Sequence, residues 1–218
     1  MKPIYLEMNY FGPHENSVVD FRLLDESPIF LISGDTGAGK STIFDAMTYA
    51  LFGTTTGDRD AKEMRSQFAT ADDRTSVTFY FEQGNLLYRI ERSPEQKLSK
   101  KRGSGSTLQK STAKLAIVDR VKWIEKNNIA INPKNVGEEI TRLLHLNAEQ
   151  FKKIILLPQN DFSRFLKSST PDKEAILKRI FGTYIFTSFS NEIKAKNSEM
   201  NAVYLEHDRK QQNLYCLL

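Results

Sequence analysis

The stretch LISGDTGAGKST, residues 31 to 42, follows an apolar run and sets glycines, a lysine and a hydroxyl at the spacing GxxxxGK[ST]. Gly34, Gly39, Lys40 and Ser41 occupy the defining positions. The chemistry that needs this spacing is the holding of phosphates. Backbone N–H groups of the loop and of a helix N-terminus converge on phosphate oxygens, and side-chain-free positions let the backbone come close. Gly37 and Gly39 supply that closeness. Lys40 is expected to reach the β- and γ-phosphates as a point charge, and the Ser41 hydroxyl to ligate Mg²⁺. The cradle as a whole comprises Gly34, Asp35, Thr36, Gly37, Ala38, Gly39, Lys40, Ser41 and Thr42, and ATP with Mg²⁺ is the expected ligand. A glycine-rich turn that merely feeds a helix is the alternative, and the strand and helix around the loop disfavour it.

Hydrolysis asks for more: a carboxylate at the end of another apolar strand to hold the metal, and a group that activates water. The one candidate is KLAIVDR, where Asp119 ends an apolar run and Arg120 stands where a cassette-type ATPase carries its glutamate base. Asp119 reads better as a strand-end residue, although it keeps a small-molecule P-loop kinase open as an alternative. A signature of the LSGG type has no counterpart beyond GSGS in a basic loop. The chain therefore reads as half of an ATPase site.

The elements that must position these residues follow the same text. Ile4, Leu6 and Met8 alternate as on one face of a strand, and Val18 to Phe21 forms a second run after a Gly-Pro turn. PIFLISG, bounded by Pro28 and Gly34, reads as a strand buried on both faces. STIFDAMTYALFG has the helical period, with Gly53 placed to end it. TSVTFYF, LLYRIER and KLAIVDR are strand-like, the first two joined by EQGN. VGEEITRLLHL and NAEQFKKII are helical, with Asn147 and Gln150 at capping-box positions. Thr170 is placed to cap a further helix, with Pro171 at its first position and Gly182 past its end. Beyond Gly182, Phe186, Ile193, Met200, His207 and Leu214 recur every seven residues, with Phe189, Lys196, Val203, Lys210 and Leu217 in a companion row, a partial heptad pattern with polar residues in both rows. An amphipathic helix packed on its own domain and a coiled-coil root both fit this row. The sequence breaks off in mid-pattern at YCLL, as a cut fragment would.

Composition limits the classes. The chain has 218 residues, 39% hydrophobic and 27% charged, which suits one globular core with an appendage. Its amino terminus lacks an apolar leader, and no window approaches a membrane span. Cys216 is the one cysteine, so no internal disulfide forms and a cytoplasmic location is expected. The net charge of +4 is mild, but it is unevenly placed: Arg92 to Lys114 holds seven Lys or Arg against one Glu. This Ser- and Gly-rich stretch reads as a mobile loop. Lys100, Lys101 and Arg102 are its candidate DNA contacts, aimed at a duplex backbone because no aromatic residue is interleaved for stacking on single strands.

MNYFGPHENSVVDF, GDTGAGKSTIFDAMTYALFGTTTGDRD and LNAEQFKKIILLPQNDFSRFLKSSTPDKEAILKRIFGT together resemble the amino-terminal ATPase lobe of the SbcC family, ATPase subunits of bacterial SbcCD nucleases and relatives of the chromosome-maintenance ATPases. The resemblance covers about residues 1 to 189 and is weakest through the basic loop. It implies an α/β P-loop NTPase fold of the cassette and chromosome-maintenance type, a mixed sheet with an antiparallel part. It further implies an ATPase lobe over 1–182 and the start of a coiled-coil helix over 183–218. It makes Gln159 the Q-loop glutamine, touching Mg²⁺ or the attacking water, and sets Arg65 near base and ribose. Asn160 departs from the family's usual Gly, and Gly12 stands where some relatives have Arg. The implied partners are the carboxy-terminal lobe of the same protein, a second head, the SbcD nuclease and double-stranded DNA, with no membrane. The implied function is the ATP-binding half of a DNA-end-processing nuclease complex. A non-catalytic coiled-coil module that binds DNA is a further alternative, and a transporter ATPase is disfavoured because Gln159 lies 119 residues beyond Lys40.

Overall fold

The computed structural model describes residues 1–25, 29–57, 60–100, 105–154, 169–171 and 184–215. The chain divides into two compact units, 1–156 and 157–218. In the first, β1 (Lys2–Phe11), β2 (His14–Asp20), β3 (Ser76–Gln83), β4 (Leu86–Ser93), β7 (Thr112–Val118) and β8 (Glu125–Ile131) build one sheet in the order β2-β1-β3-β4-β7-β8. Every pairing in it is antiparallel. β5 (Gln96–Ser99) and β6 (Ser106–Gln109) form a separate two-stranded hairpin. Helices α1 (Lys40–Phe52), α2 (Pro133–Leu144) and α3 (Ala148–Ile154) complete the unit and the α/β class.

Alternation builds the core. Leu6 and Met8 of β1, Val77, Phe79 and Phe81 of β3, and Ile90 of β4 are fully buried against Ala46, Tyr49, Ala50 and Leu51 of α1. Each large side chain so buried contributes about 1.5–3 kcal/mol. The Phe11 ring stacks on Tyr49 at 5.5 Å, tying the end of β1 to the helix. Ile4 departs from the expected row with Leu6 and Met8. The register shifts between Pro3 and Tyr5, and Ile4 joins a smaller cluster with Leu87 and Val118, beside Tyr5, Tyr80 and Trp123.

Three expectations are corrected. Residues 29–35 are not a strand buried on both faces: they carry no strand, and Phe30 and Leu31 are 47% and 88% exposed. A doubly apolar strand needs a neighbouring strand and a layer on each side, and this segment pairs with none of the described strands. The basic stretch is not wholly a loop, since residues 96–99 pair with 106–109 in register. β8 has no counterpart among the expected strands, because its exposed Lys126, Asn127 and Asn128 mask the alternation of an edge strand.

The caps follow their residues. Gly53 ends α1 with φ 76° and donates to the Tyr49 carbonyl at 2.8 Å. Asn132 caps α2, with Pro133 in its first turn. Asn147 Oδ1 accepts from the Gln150 backbone while Gln150 Oε1 accepts from Asn147, the reciprocal box expected there.

In the second unit Thr170 and Pro171 are helical, and the rest of that segment to Gly182 lies outside the described residues. Helix α4 (Tyr184–Tyr215) runs for 32 residues without interruption, with Phe186, Phe189, Ile193, Met200 and Val203 all exposed.

Candidate functional site

The glycine loop feeds directly into α1, whose first residue is Lys40 and whose N-cap is Gly39. Gly37 and Gly39 hold φ 89° and 86°, left-handed values that glycine adopts without strain. Lys40 Nζ donates to the carbonyls of Gly34 at 2.7 Å and Asp35 at 2.6 Å, so the ammonium lies over the loop it closes. Ala38 N–H donates to Asp35 O at 3.2 Å and Thr42 N–H to Gly39 O at 3.0 Å. Residues 34–38 and Ser41 are exposed, and Thr42 is buried. A helix N-terminus, a glycine-rich backbone and one ammonium are thus gathered at a solvent-exposed loop. That arrangement fits a polyphosphate.

The turn between β1 and β2 packs against the end of this loop. Phe11 and His14 pair across the two-residue turn Gly12-Pro13, with Gly12 at φ 58°, the glycine-first pattern of a tight hairpin. A Cβ on Gly12 would lie 2.7 Å from the Thr42 methyl. A Cβ on Gly39 would lie 2.5 Å from His14 Nε2 and 2.7 Å from Pro13 Cγ. Glycine at 12 and 39 is thus a packing requirement between the turn and the first turn of α1.

Arg92 braces the other end of α1. Its side chain, 3% exposed, donates from Nε to the Ala50 carbonyl at 2.7 Å and from Nη2 to the Leu51 carbonyl at 3.0 Å. Burial pulls its pKa down to about 10, so it stays charged at neutral pH beside the negative end of the helix dipole. Neither His14 nor Arg92 stands out in the sequence, because a turn residue and an arginine in a strand carry no local signal of a contact 25 or 42 residues away.

The other expected residues are placed as follows. The Arg65 guanidinium donates to Thr75 Oγ1 at 3.0 Å, Gln96 Oε1 at 2.6 Å and the Thr70 carbonyl at 2.6 Å. Buried Gln96 also engages the Thr75 backbone and Ser93, so Arg65 ties the chain beside Gly12 to the root of the β5–β6 hairpin. Lys100 is exposed at the hairpin, its N–H donating to Gly105 O at 3.0 Å. Gln159, Lys101 and Arg102 lie outside the described residues.

Asp119 lies away from the cradle. β7 ends beside the start of β4 and the end of β3, which faces Lys2, whereas the cradle meets the far end of β1, on the order of 30 Å away. Asp119 Oδ1 accepts from Val121 and Lys122 N–H groups, and Oδ2 pairs with Lys126 at 2.9 Å. The Lys126 hydrogen bond foremost, then those backbone donors, push its carboxyl down to about 2. It closes a turn and is not available to a metal at Ser41. Among the described residues no group of three or more His, Cys, Asp or Glu side chains is gathered for a metal, and no helix is long and apolar enough to cross a membrane.

Comparison with known proteins agrees with this geometry. The profile of the AAA domain family matches residues 5–214. The chain is 99% identical over 215 residues to the SbcC subunit of the SbcCD nuclease of Lactococcus lactis, covering 99% of this chain and 21% of that protein. It is 38% identical over 215 residues to the SbcC protein of Staphylococcus aureus, covering 95% of this chain and 20% of the other. With that of Vibrio cholerae the identity is 36% over 195 residues, covering 88% and 19%. The chain spans about a fifth of the length of these relatives.

Proposed function

The chain belongs to the AAA domain family, and on that premise we propose that it is the ATP-binding half of a DNA-end-processing nuclease complex, in which nucleotide held between two heads controls access of the nuclease to DNA. The observation that carries the reading is the exposed glycine loop at the N-terminus of α1, over which the Lys40 ammonium lies. Lys40 would neutralise the β- and γ-phosphates, the loop N–H groups would orient them, and Ser41 would hold Mg²⁺ together with Gln159. Mg-ATP would supply the phosphoanhydride bond whose hydrolysis would drive opening and closing. Arg65 is proposed to approach the base and ribose, which requires its guanidinium to share or exchange its present partners.

The same reading gives the exposed apolar residues a purpose. Phe30, Leu31 and Phe44 flank the cradle at 47%, 88% and 36% exposure. A carboxy-terminal lobe of the same protein would cover them, completing the sheet and supplying the aspartate and glutamate this half lacks. A nuclease of the SbcD kind and a second head are the further partners. Double-stranded DNA would meet Lys100, Lys101 and Arg102 through its phosphates.

The test is Mg-ATP binding and turnover by the purified chain, with and without the carboxy-terminal lobe. Binding is expected from the chain alone, and Lys40→Ala should remove most of it by deleting a charge-assisted contact. Turnover by the chain alone should be lower by about 10²–10⁴-fold than with the lobe added, since the general base is missing. Robust Lys40-dependent turnover by the isolated chain would overturn the half-site reading.

A further inference from the structure

His14 touches the cradle from outside the loop motif. Its Nε2 lies 3.2 Å from the Gly39 carbonyl oxygen and its Nδ1 3.0 Å from Ser17 Oγ. A carbonyl only accepts, so Nε2 carries the proton. In the neutral ring Nδ1 then accepts from the Ser17 hydroxyl, which selects that tautomer. Half-buried His14 is therefore held from both sides, by its own strand and by the loop.

The peptide it grips matters. A trans peptide is planar, so the Gly39 C=O and the Lys40 N–H point in opposite directions. Drawing that carbonyl toward the β1–β2 turn aims the Lys40 N–H the other way, toward the hollow of the loop. Gly39, at φ 86° and without a side chain, offers little resistance of its own to rotation of this peptide. The restraint comes from the two donors to its carbonyl, the Thr42 N–H at 3.0 Å within the first turn of α1 and His14 Nε2 at 3.2 Å, of which His14 is the one supplied from outside the loop and helix.

We infer that His14 is a positioning residue of the phosphate cradle: its Nε2–H fixes the Gly39–Lys40 peptide so that the Lys40 N–H is preset for a phosphate oxygen, with Ser17 holding the ring. The inference rests on the nucleotide reading above and adds to it a residue outside the loop motif. Its test separates the two. Glutamine carries its Nε2 at the same bond separation from Cβ as histidine Nε2, whereas the asparagine amide reaches only as far as Nδ1. His14→Gln should therefore retain the clamp, and His14→Asn and His14→Ala should lose it.

Two measurements on the chain decide the matter. Without nucleotide, the ¹³C shift of the Gly39 carbonyl should move in His14→Ala and His14→Asn and stay near the parent value in His14→Gln. With Mg-ATP, the first two should raise Kd roughly three- to tenfold, the value of one neutral hydrogen bond, while melting temperatures stay within a few degrees of the parent. His14→Gln should bind as the parent does. A parent chain that binds Mg-ATP and a His14→Ala variant that binds it equally well, or a Gly39 shift indifferent to His14→Ala, would overturn the inference and leave the nucleotide reading standing. A parent chain that binds no Mg-ATP would overturn that reading and the cradle role together, and the Gly39 shift would still report the hydrogen bond.

Discussion

Replacing Arg92 by methionine tests what holds α1 at its carboxy end. The substitution keeps the length and the apolar stem of the side chain and removes the guanidinium, so little new cavity forms. Two hydrogen bonds from a charged donor disappear, to Ala50 O and Leu51 O. At about 1.5–3 kcal/mol each they amount to a gross loss of about 3–6 kcal/mol. Against that stands the burial of the charge. Arg92 is 3% exposed, no described ion pair includes it, and its pKa is pulled down to about 10. At roughly 1.4 kcal/mol per pH unit, keeping it charged costs about 3 kcal/mol, which methionine does not incur. The difference is about 0–3 kcal/mol, with a midpoint of about 1.5 kcal/mol of net destabilisation as the last turn of α1 loses its partners. For a chain of this size that corresponds to a fall in Tm of about 3–6 °C, read by thermal melting and by faster amide exchange in the final turn of α1. An unchanged or higher Tm would show that the desolvation penalty outweighs the hydrogen bonds, as it does for some buried charges, and would refute the assignment of Arg92 as the brace of α1.

Three further outcomes follow from other contacts. Gly39→Ala should be more destabilising than Gly37→Ala: both must hold a left-handed φ, at about 1–2 kcal/mol, but only the Gly39 Cβ strikes His14 and Pro13, so equal melting temperatures would contradict the packing. The folded state holds the Asp119 carboxyl near 2, below its unfolded value, so its contribution is present at neutral pH and lost as pH falls from about 4 through 2. Asp119→Asn should therefore be less stable than the parent at pH 7 and should lose less of its stability on acidification, as urea melts across that range would reveal. Ile193→Asp and Met200→Asp, in the exposed row of α4, should reduce self-association of the chain in sedimentation measurements if that row seeks a partner helix, and no change would place the coil reading in error.

The sequence by itself determined the parts whose physics is local. The glycine loop with its left-handed Gly37 and Gly39, the helix that follows it, Gly53 as its stop and the Asn147–Gln150 box were all legible, because caps, left-handed glycines and helical period act over three or four residues. β3, β4 and β7 were legible as strand-like runs, the first two joined by a turn signal, because strand propensity and turn chemistry are local as well. What the tertiary structure decided depends on neighbours that are distant in sequence. PIFLISG carries the hydrophobicity of a buried strand, yet burial needs flanking strands and layers, and residues 29–34 pair with no strand among the described residues. Ile4 has the parity of Leu6, and a bulge one residue away turns it to the opposite cluster. Asp119 ends an apolar run as a metal ligand would, but only the strand order reveals that this run ends at the far end of the sheet from Lys40. His14 and Arg92 brace the two ends of α1 from positions 25 and 42 residues away, and no spacing rule in a linear text reaches that far. Chemistry at a helix terminus is written in the adjacent residues, whereas the side chains that hold the helix in place are chosen by the fold.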